Sequence, residues 1–268
     1  MGLPLFDPVS DPGPDFAALV QRTGHSLPAF SENDLNLAHA TTVVALRYGD
    51  GVIMAGDRRA TAGNVIAHRT VEKVFPADRY SAIAISGSAA MAAEMVRLFQ
   101  VQLEHYEKVE GIALSLEGKA NQLAQMVRSN LPMAMQGFVV VPLYCGYDVL
   151  RGMGRIFDYD AAGGRYEDAD FSATGSGGTY ARTTVRLGYR EGLTRDEAVE
   201  LAILSLYEAA DADSATGGPD SVRGIYPVVA TVSAQGYEQL DDEEVATRFD
   251  AIIERRRGAK GNAEGTLR

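Results

Sequence analysis

The sequence of 268 residues predicts an α+β fold in which antiparallel sheets are flanked by helices. Runs rich in β-branched and apolar residues come in blocks, and segments with helical spacing are grouped as well. Strands and helices therefore do not alternate singly, as a doubly wound parallel sheet requires. The chain is 46% hydrophobic and 23% charged, enough apolar material for a sizeable core. No stretch approaches the roughly 20 uninterrupted apolar residues that span a bilayer.

Residues 41–48 are dominated by β-formers and end at Gly49-Asp50-Gly51, after which 52–55 is a second apolar run. Two strands joined by an Asp-Gly turn read as a hairpin. The runs 65–66, 71–75 and 81–86 continue as short strands. Ala92, Val96, Phe99 and Leu103 then recur at steps of four, three and four, which is one face of a helix. Leu116, Ala120, Leu123 and Val127 repeat those steps in a second helix. Strands return at 139–147 and 154–159, with Gly163-Gly164 as a turn. A helix follows the glycine-rich stretch 175–178. Another opens at Thr194 with Glu197 three residues on, the pattern of a capping box, and buries Val199, Ala202, Leu206 and Ala209. A strand over 228–232 and a helix over 243–255 complete the order.

The two ends differ from this body. Residues 1–40 hold five of the ten prolines, and five acids against one base, Arg22. Such a segment reads as a poorly ordered leader outside the core. The tail after Arg255 is rich in charge and glycine and is expected to fray.

Composition excludes several functions. A net charge of −11 argues against nucleic acid, since phosphate contacts need a basic surface. His25, His39, His68 and His105 are scattered without metal-ligand spacing, so no metal and no cofactor are expected. The N-terminus lacks the basic start and apolar run of a secretory signal. A single cysteine, Cys145, rules out an internal disulfide and fits a reducing cytoplasm. Its apolar run makes it a small core residue.

No Gly-x-Ser-x-Gly elbow, His-Glu-x-x-His or phosphate-binding glycine loop with a lysine is present. What remains is the boundary His39-Ala40-Thr41-Thr42, where the leader meets the first β-rich run. A threonine hydroxyl is a poor nucleophile unless a base removes its proton. A cut before Thr41 would create an α-amine on the same residue. Its ordinary pKa of about 7.7–8.0 leaves a useful neutral fraction near pH 7. On pattern alone, Thr-Thr opening a strand is equally an ordinary β-former, and both readings stand.

Further blocks narrow the choice. They are Thr41-Thr42-Val43-Val44-Ala45-Leu46, Ala55-Gly56-Asp57-Arg58-Arg59-Ala60-Thr61, Glu72-Lys73-Val74, Ser86-Gly87-Ser88, Gly175-Ser176-Gly177 and Asp213-Ser214-Ala215-Thr216-Gly217-Gly218. Taken in order and spacing, the series resembles the N-terminal-nucleophile hydrolases, and within them the β subunits of 20S proteasomes. The blocks from Leu103 to Lys108 and from Ala134 to Gly137 are similar to the actinobacterial branch. The resemblance runs from Thr41 to about Arg257. It implies a four-layer αββα sandwich, a leader 1–40 removed by autocatalytic cleavage between Ala40 and Thr41, a catalytic domain 41–257 and a flexible tail 258–268.

The resemblance also implies roles. Thr41 matches the nucleophile, and Lys73 the ammonium that favours loss of its proton. Asp57 matches the carboxylate that orients the lysine, and the Gly87 N–H the oxyanion donor. Ser176, Asp213 and Thr216 match the polar group around the new α-amine. Ala60, Val71, Ile85 and Ala89 match positions that shape the primary specificity pocket, while Thr61 and Ala89 match backbone contacts to an extended peptide. All four pocket side chains are uncharged and apolar, so cleavage after large apolar residues is expected. The implied partners are proteasome α subunits and other β subunits in four stacked heptameric rings, an ATP-dependent unfoldase and unfolded polypeptides, with no nucleic acid and no membrane.

One departure stands out. Ala40 occupies the place where most relatives have glycine, the residue best suited to a tight turn at the bond to be cut. It keeps open a slowly cut or noncatalytic subunit serving as a ring scaffold. A two-ring bacterial homologue of the same fold and a small-molecule amidase compete with these readings as well. The 57–59 and 213–223 segments and the leader favour the proteasome type.

Overall fold

The computed structural model describes residues 41–63 and 65–265. The expected leader and Ala40 lie outside the described residues. In chain order the strands are β1 (Thr42–Tyr48), β2 (Gly51–Gly56), β3 (Ala60–Ala62), β4 (Val65–His68), β5 (Val74–Asp78) and β6 (Ser81–Gly87). Helices α1 (Ala89–Glu110), α2 (Leu116–Ser129) and the single turn α3 (Leu131–Ala134) follow. Next come β7 (Val140–Asp148), β8 (Met153–Tyr159), β9 (Arg165–Asp168) and β10 (Phe171–Gly175), then α4 (Gly178–Gly188) and α5 (Arg195–Ala212). β11 (Val228–Ser233), β12 (Gly236–Gln239) and α6 (Asp242–Gly265) close the order.

The strands form two five-stranded sheets, β10-β1-β2-β11-β12 and β5-β6-β7-β8-β9, with β3 and β4 as a separate hairpin. Every pairing is antiparallel. Successive side chains of a strand point to opposite faces, and here both faces are covered. On β1, Val43 and Ala45 join Val52, Met54, Ala84, Leu143 and Ile156 in a layer between the sheets. Val44 and Leu46 point the other way, into a second layer with Val199, Ala202 and Leu206 of α5 and Val245 and Phe249 of α6. The second sheet packs Ile83, Ile85, Tyr144 and Phe157 against Val96, Phe99 and Leu103 of α1 and Leu123 and Val127 of α2. The result is the expected α+β sandwich of helices, sheet, sheet and helices. Each fully buried large apolar side chain contributes on the order of 1.5–3 kcal/mol relative to exposure. Cover on both faces also explains why these strands read as continuous apolar runs and not as alternation.

Both helical faces are placed as the spacing predicts, with only Ala92 half-buried. The capping box at Thr194 is formed, its Oγ1 accepting from the Glu197 N–H at 3.3 Å while Glu197 Oε2 accepts from the Thr194 N–H at 2.9 Å. Cys145 is fully buried between the sheets, where desolvation pushes its thiol far above the ordinary range. No helix among the described residues is long and apolar enough to cross a membrane.

Two boundaries are corrected. The run 71–75 does not form one strand: β5 begins at Val74, so Lys73 stands in the connection before it. The last helix does not end at Arg255 but runs on to Gly265, because extending a helix already nucleated by packing costs little per residue. The sequence pattern does not anticipate β3, β9, β10, β12 or α3. They are short, and β10 reads as Phe-Ser-Ala-Thr-Gly, a composition shared with turns.

Candidate active site

The first sheet places residues 41 and 42 at one end of β1, between β2 and β10. β2 ends at Gly56 and delivers Asp57 next to Thr42. The Asp57 N–H donates to the Thr42 carbonyl at 3.1 Å, and the Thr42 N–H returns a bond to Asp57 Oδ1 at 2.8 Å. Asp57 has no solvent exposure, so each carboxylate lone pair matters. Oδ1 also accepts from Lys73 Nζ at 2.6 Å, and Oδ2 accepts from the N–H groups of Arg59 and Gly217, both at 2.8 Å. Four donors thus compensate one buried charge.

Lys73 is 5% exposed and also donates to the Arg59 carbonyl at 2.5 Å. Its burial pulls the ammonium pKa below the ordinary lysine value, and the Asp57 carboxylate opposes that pull. Thr41 is likewise 5% exposed, and its carbonyl accepts from the Ser176 N–H at 3.0 Å. This contact requires glycine at residue 175. Gly175 has φ +98°, and a Cβ there would stand 1.7 Å from the Thr41 carbonyl oxygen.

A second polar group gathers at the C-terminal end of α5. Asp213 caps that helix in extended backbone. Its Oδ2 accepts from Ser176 Oγ and Thr216 Oγ1, both at 2.6 Å, and its Oδ1 from the Ala215 N–H at 3.1 Å. Burial acts to raise the Asp213 pKa, but these hydrogen bonds and the Arg59 charge outweigh it, so the carboxyl titrates below its usual range. Of the three residues expected to surround an α-amine, Asp213 thus bonds both Ser176 and Thr216, and the Ser176 N–H reaches the Thr41 carbonyl.

A cavity opens at Thr41. Lys73, Gly87, Ala60, Val71, Ile85 and Ala89 line it, which brings together most of the residues expected at the nucleophile and the pocket. Thr61 lies on β3, half-buried and outside that lining. Phe75, Ala92 and Ala93 complete an apolar wall that the sequence motifs do not reveal, and Glu72 at its edge is equally unannounced. A signal for the two alanines does exist, since residues one helical turn beyond Ala89 must share its face. Gly87 has φ +111°, and a Cβ there would meet the Val139 carbonyl oxygen at 2.1 Å. Close backbone packing, and not only access for a ligand, thus demands glycine.

Comparison with known proteins gives the chain a family. The proteasome subunit family matches residues 37–223. The chain is 59% identical over 266 residues to a proteasome subunit beta of Acidimicrobium ferrooxidans, covering 97% of each protein. It is 54% identical over 231 residues to a proteasome subunit beta of Streptomyces griseus, covering 86% of this chain and 82% of that one. With the sandwich, the polar groups at residue 41 and a family match across most of the chain, the protein belongs to the proteasome subunit family.

Proposed function

We propose that the chain is a threonine-type endopeptidase subunit of the β class, activated by autocatalytic cutting of the bond between Ala40 and Thr41. The observation that carries this reading is the position of Thr41 at an apolar cavity it shares with Lys73, whose ammonium is held by the buried Asp57. In the cut form, Thr41 Oγ attacks the carbonyl carbon of the scissile bond, and its proton passes to the Thr41 α-amine. The Lys73 charge favours the developing alkoxide. The Gly87 N–H stabilises the oxyanion that forms. Collapse breaks the C–N bond, the leaving amine takes the proton from the α-ammonium, and an ester to Thr41 remains. Water then attacks the ester, giving its proton to the α-amine, and Thr41 recovers its hydroxyl as the acid departs. Asp213, Ser176 and Thr216 orient the amine through these transfers.

The lining of Ala60, Val71, Phe75, Ile85 and Ala89 supports a preference for large apolar residues before the cut. Fluorogenic peptides with apolar, acidic and basic ends test this: fastest turnover is expected for the apolar set, and an acidic peptide turned over fastest would defeat the preference. The relatives' name, proteasome subunit beta, supports assembly with other proteasome subunits. On this reading those are α subunits and other β subunits in four stacked heptameric rings, fed with unfolded polypeptides by an ATP-dependent unfoldase in the cytoplasm. Leu98, Val101 and Val109 on α1 and Ile112 after it are exposed apolar residues of the kind a neighbouring subunit covers.

Intact mass of the purified particle tests activation. The subunit is expected to begin at Thr41, leaving 268 − 40 = 228 residues. A persistent leader would instead favour the second reading, a ring scaffold, to which Ala40 in place of glycine points.

A further inference from the structure

Thr42 has no role among those the resemblance carries over, yet it joins the two polar groups of the site. Its N–H donates to Asp57 Oδ1 at 2.8 Å. Its side chain is fully buried, and its Oγ1 accepts from the buried Gly177 N–H at 2.9 Å. The same oxygen lies 2.6 Å from Thr216 Oγ1. A proton count gives that last bond its direction. Each hydroxyl has one proton to donate, and Thr216 gives its own to Asp213 Oδ2 at 2.6 Å. The proton between the two threonines therefore belongs to Thr42. Donation runs one way, from the Gly177 N–H to Thr42, from Thr42 to Thr216, and from Thr216 to the Asp213 carboxylate.

The packing enforces this chain. A Cβ on Gly177 would stand 2.5 Å from Thr216 Oγ1 and 2.6 Å from Thr42 Oγ1. The N–H groups of Ser176 and Gly177 consecutively grip the carbonyl of Thr41 and the hydroxyl of Thr42. Strand formation does not explain the hydroxyl. Valine would suit β1 as well as threonine, but it would leave the Gly177 N–H buried without its acceptor.

We infer that Thr42 is a positioning residue for the hydrolytic reaction: its hydroxyl directs the Thr216 proton onto Asp213 and pins the 176–177 turn against the strand that carries Thr41. This rests on the reading of Thr41 as nucleophile. Thr42 is fully buried and does not line the cavity, so its role is one of positioning and not of substrate contact. Its removal should act on kcat and leave KM, which the apolar wall sets.

The test compares Thr42→Val, Thr42→Ala and Thr42→Ser in the full chain within its assembled particle. Turnover of an apolar fluorogenic peptide is measured per cut N-terminus, across pH. The valine and alanine variants should lose about tenfold in kcat, the scale of one buried hydrogen bond, with KM within about twofold. The acid limb of their kcat profile should move to higher pH as Asp213 loses the ordered Thr216 donor. Serine should restore kcat to within about twofold. An uncut end in both hydroxyl-less variants beside a cut serine variant counts as the same loss, since the cut uses the same groups. Full kcat without the hydroxyl, a loss shared by serine, an effect confined to KM, or an unmoved pH profile would overturn the inference. So would failure of both hydroxyl-less variants to assemble beside a normal serine variant, which would make the role one of folding. A Thr41→Ala control separates the two readings, because activity surviving there refutes the nucleophile itself.

Discussion

Replacing Thr41 with alanine is expected to leave the bond after Ala40 uncut and to reduce peptide hydrolysis to the uncatalysed background. The substitution deletes the one atom proposed to bond covalently with substrate, so the loss is of the order of the whole enzymatic acceleration, about 10⁶-fold or more. The fold should survive it, because the register of β1 against β10 and β2 is held by backbone from Thr42 onward. Thr41→Ser keeps the oxygen and should retain both cutting and turnover in part. Intact mass and peptide hydrolysis on the same preparation give the answer. Hydrolysis that persists with alanine at residue 41 would place the nucleophile elsewhere.

Asp57→Asn should be nearly as severe, for reasons of proton count and not of shape. Each Asp57 oxygen accepts from two donors, Oδ1 from Thr42 and Lys73, Oδ2 from Arg59 and Gly217. In either orientation the asparagine amide would turn an NH₂ group toward two donors and lose both bonds. It would also remove the Asp57 charge that bonds the buried Lys73 ammonium at 2.6 Å. Breaking one partner of a buried pair costs about 3–5 kcal/mol, and denaturation of the full chain should show a loss of that size. The cost should depend on pH. Lys73 already titrates below the ordinary lysine value through burial, with Asp57 opposing. Without the carboxylate its folded pKa falls further. Between the folded and unfolded pKa values the unfolded chain then holds the extra proton, so stability rises with pH across that window. The variant should accordingly recover part of its deficit as pH rises toward the lysine range. A deficit constant with pH would mean that loss of the Asp57 charge beside Lys73 is not its cause.

Much of this molecule is legible in one dimension. The β1–β2 hairpin follows from a turn with glycine and aspartate between apolar runs, and α1, α2 and α5 follow from spacing and a capping box. Such features depend on residues within one or two turns of each other. The features that escape a sequence reading share the opposite property. β10 has no apolar pattern of its own, and its identity as a strand comes from pairing with β1, far away in sequence. Lys73 looks like a strand residue because valines lie near it, yet contact with Asp57 and the Arg59 carbonyl holds it outside β5. Thr42 attracts no notice, since threonine at a strand start is unremarkable until Thr216, 174 residues further along the chain, arrives beside it.

The sequence by itself determined the grouping of strand and helix blocks, the apolar faces and the site residues that the family resemblance names. Those depend on local periodicity and on residue identity at matched spacing, neither of which needs a neighbour in space. Only the tertiary structure decided how these residues bond. It placed four donors on Asp57, closed the Gly177 N–H onto Thr42, and set Thr41, Lys73 and the apolar wall around one cavity. The physical reason is that a buried polar atom is satisfied by whichever donor the packed layers bring within about 3 Å, and that donor comes from residues distant in the chain.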